Sequence, residues 1–267
     1  MKKVVLILAI CICASATSHA ETITIGGSGS MIPLLTELGK AYMKKHPASV
    51  VAVKQQSMGQ PGGIAALNAG AIDIAMSAMP ISPDQAKLQI EQFEIARVAG
   101  VVAVSSNVKA TNLTSRQLCD MYAGKIKNWK QVGGADAPIA VYTRPESDST
   151  KIMFRKSMVC MATLKEAPEI LNLPKSADMY NALSSSPNAI GPVDVIALVN
   201  AAGKFKEIKI DGMSHVEMEK GKWPFVLKNN LVLRKKRSEA VNQFLMFVKS
   251  PEGREIIKRE KAVPSAF

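Results

Sequence analysis

Apolar positions along this chain change period repeatedly, and the changes predict alternating strands and helices. Thr22 to Ile25 alternates and predicts a strand that runs into the turn Gly26-Gly27-Ser28-Gly29-Ser30. Leu34, Leu35, Leu38 and Tyr42 then recur at helical spacing until His46-Pro47 ends the helix. Val50 to Val53 predicts a second strand, followed by the polar stretch Ser57 to Gly63 and a helix carrying Ile64, Leu67 and Asn68. Ile72 to Met76 is a short apolar strand. Val98 to Val104 is nearly continuous, as expected of a strand covered on both faces. A helix is expected from Thr114 to Trp129, a strand at Ile139 to Tyr142, a polar loop at Arg144 to Thr150 and a helix from Lys151. Later strands fall at Ala189 to Val193, Phe205 to Ile210 and Val226 to Leu233, before a terminal helix at Glu239 to Val248. Strands alternating with helices imply an α/β layout with parallel sheets.

Composition agrees with a folded core: of 267 residues, 47% are hydrophobic and 21% charged, too apolar for a disordered chain. Only 5% are aromatic, so Ala, Val, Ile, Leu and Met must fill the interior. The first twenty residues read as a secretory signal peptide: Lys2 and Lys3, an apolar run from Val4 to Ala14, and Ser18-His19-Ala20 as the cleavage site. The apolar run is shorter than the ~18–20 residues that span a bilayer. Ile10 before Cys11 also disfavours lipid attachment there. Cleavage removes two lysines and no acid from a chain of formal charge +12, leaving +10. That excess favours an acidic partner. Export makes nucleic acid an unexpected one, and Arg234-Lys235-Lys236-Arg237 reads as a solvated face.

Cleavage also removes Cys11 and Cys13. Cys119 and Cys160 remain, and they either pair in an oxidising compartment or stay as two buried thiols. Because both fall in segments that read as helical, free thiols are the expectation. With no Cys-x-x-Cys and only His46 and His215 in the mature chain, neither a metal site nor a cofactor is expected.

Three small-residue turns lie between a strand and a helix: Gly26 to Ser30, Ser57 to Gly63 and Ser147 to Thr150. In a parallel α/β sheet such loops gather at the carboxyl ends of strands, where ligands bind. Each helix start offers unpaired N–H groups and the positive end of a dipole, which suits an anion. Ser30, Ser149 and Thr150 add hydroxyl donors, and Arg144 can grip a tetrahedral oxyanion with two N–H groups. Neither the ending of a nucleotide P-loop nor a dinucleotide fingerprint follows Gly26, where Ile32 occupies the third glycine position.

These residues resemble the phosphate-binding proteins of bacterial ABC importers, within the type 2 periplasmic-binding-protein fold. The likeness runs through Ile25 to Ser30, Gly59 to Ile64, Ile72 to Ser77, Tyr122 to Trp129, Arg144 to Thr150, Ile190-Gly191-Pro192, Trp223-Pro224-Phe225 and Ser250 to Arg254. It implies a two-lobed architecture, each lobe a mostly parallel sheet flanked by helices, joined by two hinge strands. The expected division is signal peptide 1–20, lobe I at 21–103 plus 222–267, and lobe II at 104–221. It further implies a periplasmic, monomeric protein that is not an enzyme. Such a protein would hold inorganic phosphate or a similar oxyanion between its lobes and pass it to a permease at the inner membrane.

Carried over residue by residue, the resemblance implies a ligand site of Ser30, Met31, Gln60, Gly62, Arg144, Asp148, Ser149 and Thr150, with Met31 offering its backbone N–H. Three positions depart from the family: Gln60 stands for a serine donor, Ala78 for an aspartate that accepts the phosphate proton, and Asp148 for a serine. The expectation is that Asp148 takes over the acceptor role, the alternative being that it caps the next helix. Other readings are a different tetrahedral oxyanion, a sensing or interaction protein without transport, and an exported hydrolase using a serine with His46 or His215. No Gly-x-Ser-x-Gly elbow supports the last.

Overall fold

A computed structural model describes residues 21–266; the expected signal peptide, with Cys11 and Cys13, lies outside the described residues. Strands are β1 (Glu21–Gly27), β2 (Ser49–Val53), β3 (Ile74–Ser77), β4 (Ile90–Ser105), β5 (Asn112–Leu113) and β6 (Ala140–Thr143). They continue with β7 (Leu171–Asn172), β8 (Ala189–Asp194), β9 (Phe205–Glu207), β10 (Lys209–Ile210), β11 (Val226–Arg234) and β12 (Val263–Pro264). Helices are α1 (Ile32–Lys45), α2 (Gly59–Asn68), α3 (Ser115–Tyr122), α4 (Ser149–Ser157), α5 (Ser176–Ser185), α6 (Val195–Asn200), α7 (Glu239–Lys249) and α8 (Pro251–Arg259).

The main sheet runs β2-β1-β3-β11-β4-β8-β6-β7. Parallel pairs sit toward both ends: β1 with β2 and β3, and β6 with β8 and β7. Between them, β11 and β4 run antiparallel to their neighbours. β4 joins the two halves. Its residues 90–99 pair with β11 and its residues 100–104 with β8. It extends eight residues before the apolar run at Val98, a stretch that Glu91, Gln92, Glu94 and Arg97 interrupt and that is only partly buried, so no apolar run marks it as strand.

Helices cover the sheet with the stripes their sequences supply. Leu34, Leu35, Leu38 and Tyr42 of α1 are all fully buried. Tyr42 stacks on His46 and meets Phe244 and Phe247 of α7 edge-on, at 5.3 and 5.5 Å between ring centres. The chain's last helices therefore return to the half that its first strands began. Arg234 and Arg237 are internal ties rather than free surface charges. Arg234 donates to the carbonyls of Leu67 and Ile72, and Arg237 pairs with Glu91.

Some boundaries move for local reasons. The helix expected from Thr114 to Trp129 stops at Tyr122, since Gly124 takes a φ of 71° that no helix continues through. Helix α4 begins at Ser149, two residues early, because Asp148 caps it. The Phe205 to Ile210 segment divides between β9 on β4 and β10 on β5.

Cys119 and Cys160 are bonded, not free thiols, with Cα atoms 6.1 Å apart. Cys160 is not on a continuing helix: α4 ends at Ser157 and a 3-10 turn at Val159–Met161 swings it onto α3. The bridge closes a loop of 41 residues, which stabilises the fold by about 4 kcal/mol in the chain-entropy account. Reduction, or the pair Cys119→Ser with Cys160→Ser, is expected to lower the urea midpoint accordingly. An unchanged midpoint would mean that the two sulfurs are not joined in solution.

Candidate oxyanion site

The site is built from strand ends. β1 and β6 both finish in loops that lead to helix starts, and the two loops face one another across the sheet's central strands. On the first side Gly27 adopts a φ of 135°, and a Cβ there would sit 2.4 Å from the carbonyl oxygen of Met76. A Cβ on Gly63 would sit 2.7 Å from the Cα of Gly27, so α2 packs directly onto the β1 turn. Only glycine permits that approach.

A cavity of about 420 Å³ separates the two sides. Ser28, Gly29, Ser57, Met58, Gly59, Gln60 and Pro61 line it from one side; Arg144, Pro145, Ser147, Asp148, Ser149, Pro174 and Lys175 line it from the other. The starts of α2, α4 and α5 thus face one space, and each contributes the positive end of a dipole.

Of the eight residues expected at the site, Gln60, Arg144, Asp148 and Ser149 lie on its wall. Ser30 is one layer behind, its hydroxyl 3.2 Å from that of Ser28. The Met31 N–H is already donated to the carbonyl of Ser28 at 3.2 Å, and the Thr150 N–H to Asp148 Oδ1 at 3.0 Å. Gly62 adjoins Pro61 without lining the cavity itself. Ser57 and Lys175 are wall residues outside the expected set. The strand–turn–helix sequence from Leu171 to Ser176 is a fourth loop of the same kind, and that pattern was the available signal for Lys175.

Arg144 is only 5% exposed. Its Nη1 donates to the carbonyl of Leu173 at 2.7 Å, and its Nη2 to Asp148 Oδ2 at 2.7 Å and Ser176 Oγ at 3.5 Å. Asp148 Oδ1 caps α4 by accepting from the N–H groups of Thr150 and Lys151. Behind the loop, buried Lys151 donates to Thr143 Oγ1 and pairs with Glu166 and Glu146, holding both flanks of Arg144. Neither histidine approaches this cavity: His46 stacks on Tyr42, and His215 pairs with Glu207. Among the described residues no group of three or more His, Cys, Asp and Glu is placed to hold a metal ion.

A family model described as PBP superfamily domain matches residues 14–252. The chain belongs to the PBP superfamily. Within that superfamily it is similar to the phosphate-binding protein PstS of Bacillus subtilis, 25% identical over 86% of this chain and 76% of the relative. The PstS of Borreliella burgdorferi is also 25% identical, over 91% of this chain and 89% of that one. Among solved structures, a putative phosphate ABC transporter substrate-binding protein with bound phosphate from Clostridium perfringens superimposes with a TM-score of 0.82. It covers 92% of this chain and 100% of its own, at 23% identity, a likeness of fold. An ABC-type phosphate transport receptor from Vibrio cholerae gives 0.66 at 27% identity, over 90% and 99% of the two chains.

One buried acid lies beneath the site of this PBP-superfamily chain. Asp194, at the end of β8, caps α6 through the Ala197 N–H at 2.9 Å. Burial pushes its carboxyl up to about 7, and the negative charge of Asp148 adds to that, against the pull of the Ala197 and Ile196 N–H groups and of Arg144. The folded protein therefore keeps a proton that the unfolded chain releases near its ordinary value of 3.8. Folding takes up that proton between about pH 4 and 7, so this residue's contribution falls as pH rises through that window. Asp194→Asn keeps the cap without the charge. It is expected to melt at least about 4 °C above the parent at pH 8 and level with it near pH 4, by calorimetry.

Proposed function

We propose that this protein is exported, captures inorganic phosphate in the cavity between Ser28–Pro61 and Arg144–Lys175, and delivers it to an ABC permease at the inner membrane. Capture uses no bond-making chemistry and no cofactor; the protein acts as a monomeric, periplasmic carrier. The observation that carries this reading is Arg144, buried in the wall of a cavity that three helix starts also face.

Magnitudes favour a multi-loop site. Desolvating an isolated ion costs tens of kcal/mol in the Born limit. One helix terminus returns about 0.3–1 kcal/mol, and one charge-assisted hydrogen bond about 1.5–3 kcal/mol. Donors from several loops must therefore converge, and the cavity is wider than one small anion fills. Closure about β4 and the 222–226 return, with lobes at 21–103 plus 222–267 and 104–221, would bring Ser28, Gln60 and Ser149 onto one ligand. Relatives named phosphate-binding protein over most of this chain support phosphate as that ligand.

Asp148 acts in this reading through Arg144. One of its oxygens caps α4 and the other orients the guanidinium, leaving the remaining N–H groups for the anion. A second oxyanion is the competing ligand, because Ala78 is fully buried and has no carboxyl to receive a phosphate proton.

Calorimetry of the mature protein against phosphate, sulfate, arsenate and molybdate is expected to show the tightest binding for phosphate. Arg144→Ala should weaken it by at least ~100-fold, since two charge-assisted bonds go. Asp148→Asn should weaken phosphate and sulfate in equal proportion, as a positioning role requires. A selective loss of phosphate would instead make Asp148 the proton acceptor.

A further inference from the structure

The Cys119–Cys160 bond closes a ring that contains the arginine side of the cavity wall. Residues 119 to 160 hold β6, the loop from Arg144 to Ser149 and all of α4, and the two sulfurs join the far ends of that stretch. Both ends of the ring are also fastened to the site. On α3, the Tyr122 hydroxyl donates to the carbonyl of Tyr142 at 3.0 Å, two residues before Arg144. At the end of α4, Arg155 Nη1 donates to the carbonyls of Met161 and Leu164 at 2.8 and 3.0 Å, which latches the helix to the turn that carries Cys160. Ser149, at the other end of that helix, is cavity wall.

The two sulfurs are unequally reachable. Cys119 is 2% exposed, with its sulfur 3.8 Å from the Sδ of Met158. Cys160 is partly exposed and lines a groove of about 510 Å³ together with Met158, Val159, Met213 and Phe225. Its neighbour Val159 is 95% exposed. An attacking thiolate therefore reaches the bond from the Cys160 side.

We propose that the Cys119–Cys160 pair is a redox-modification site entered at Cys160, and that its state sets how tightly the cavity holds phosphate. The second half rests on the phosphate-capture reading above. The co-reactant is a dithiol. Its thiolate bonds to Cys160 Sγ, the Cys119–Cys160 bond breaks, and Cys119 leaves with the electron pair and takes up a proton. The second thiolate of the dithiol then displaces Cys160, which is protonated in turn. Two protein thiols and one oxidised dithiol result, and oxidation runs the same steps in reverse. With the bond open, the turn after α4 is no longer tied to α3, and the Arg144 loop must be ordered at the expense of binding. A bond that acted solely on the unfolded chain would leave phosphate affinity untouched, which separates this role from stabilisation.

The test uses the mature protein, each form first checked by thermal melting. Phosphate is titrated at pH 7 by calorimetry into the oxidised, the dithiothreitol-reduced and the reoxidised protein. Reduction is expected to weaken phosphate about fivefold or more, and reoxidation to restore it. The pair Cys119→Ser with Cys160→Ser should bind like the reduced form and ignore dithiothreitol. Cys119→Ser leaves a Cys160 thiol that should react with dithiodipyridine at least ~10-fold faster than the Cys119 thiol left in Cys160→Ser. Equal phosphate affinity of oxidised and reduced protein overturns the coupling, and a Cys119 thiol that reacts as fast as Cys160 overturns the point of entry. If the reduced protein is unfolded at the assay temperature, oxidised Arg155→Gln decides, because it cuts the latch and keeps the bond: an unchanged phosphate affinity there overturns the coupling. An oxidised wild type that binds no phosphate overturns capture instead and leaves the thiol result standing.

Discussion

Everything at the site depends on how a buried guanidinium is held. Arg144 cannot lose its charge, so burial to 5% exposure demands that its donors be matched. Asp148 supplies the opposite charge four residues on, and the Leu173 carbonyl fixes the other side of the fork. With those partners in place, three of five N–H groups are engaged among the described residues, and the plane of the group is set before a ligand arrives. An arginine free to rotate would lose side-chain entropy on binding; this one has already been ordered by folding.

The same logic extends outward. Lys151 links Thr143, Glu146 and Glu166, so the residues before and after Arg144 are tied to the helix whose start lines the cavity. On the facing side rigidity comes from backbone contact rather than charge, through the Gly27–Gly63 approach that sets α2 on the end of β1. One side is stiffened by ion pairs and the other by close packing. β4 pairs with β11 along residues 90–99 and with β8 along residues 100–104, so a single strand carries the sheet from one side to the other.

Legibility in the sequence followed the range of each interaction. The β1 and α1 pattern, the turns and the loop from Arg144 to Thr150 are local, and hydrophobic period and turn chemistry expose them directly. The Cys119–Cys160 bond was not legible, because pairing requires the turn after Ser157, and that turn is dictated by packing on α3. β4 was half legible: its apolar end reads as a buried strand, while its mixed, partly buried start is a strand because β11 lies beside it. At the site, Met31 spends its expected N–H inside its own turn, on Ser28, and the Thr150 backbone N–H goes to the Asp148 cap. Lys175 joins the wall because α5 starts there.

By itself the sequence determined the α/β alternation, the small-residue helix starts and the presence of one arginine suited to an oxyanion, since each of these is written within a few consecutive residues. The tertiary structure decided which helix starts share a cavity, and that Asp148 is committed to Arg144 and to a cap. Those outcomes depend on which distant strands become neighbours, and no periodicity along the chain encodes a distance between residues a hundred positions apart.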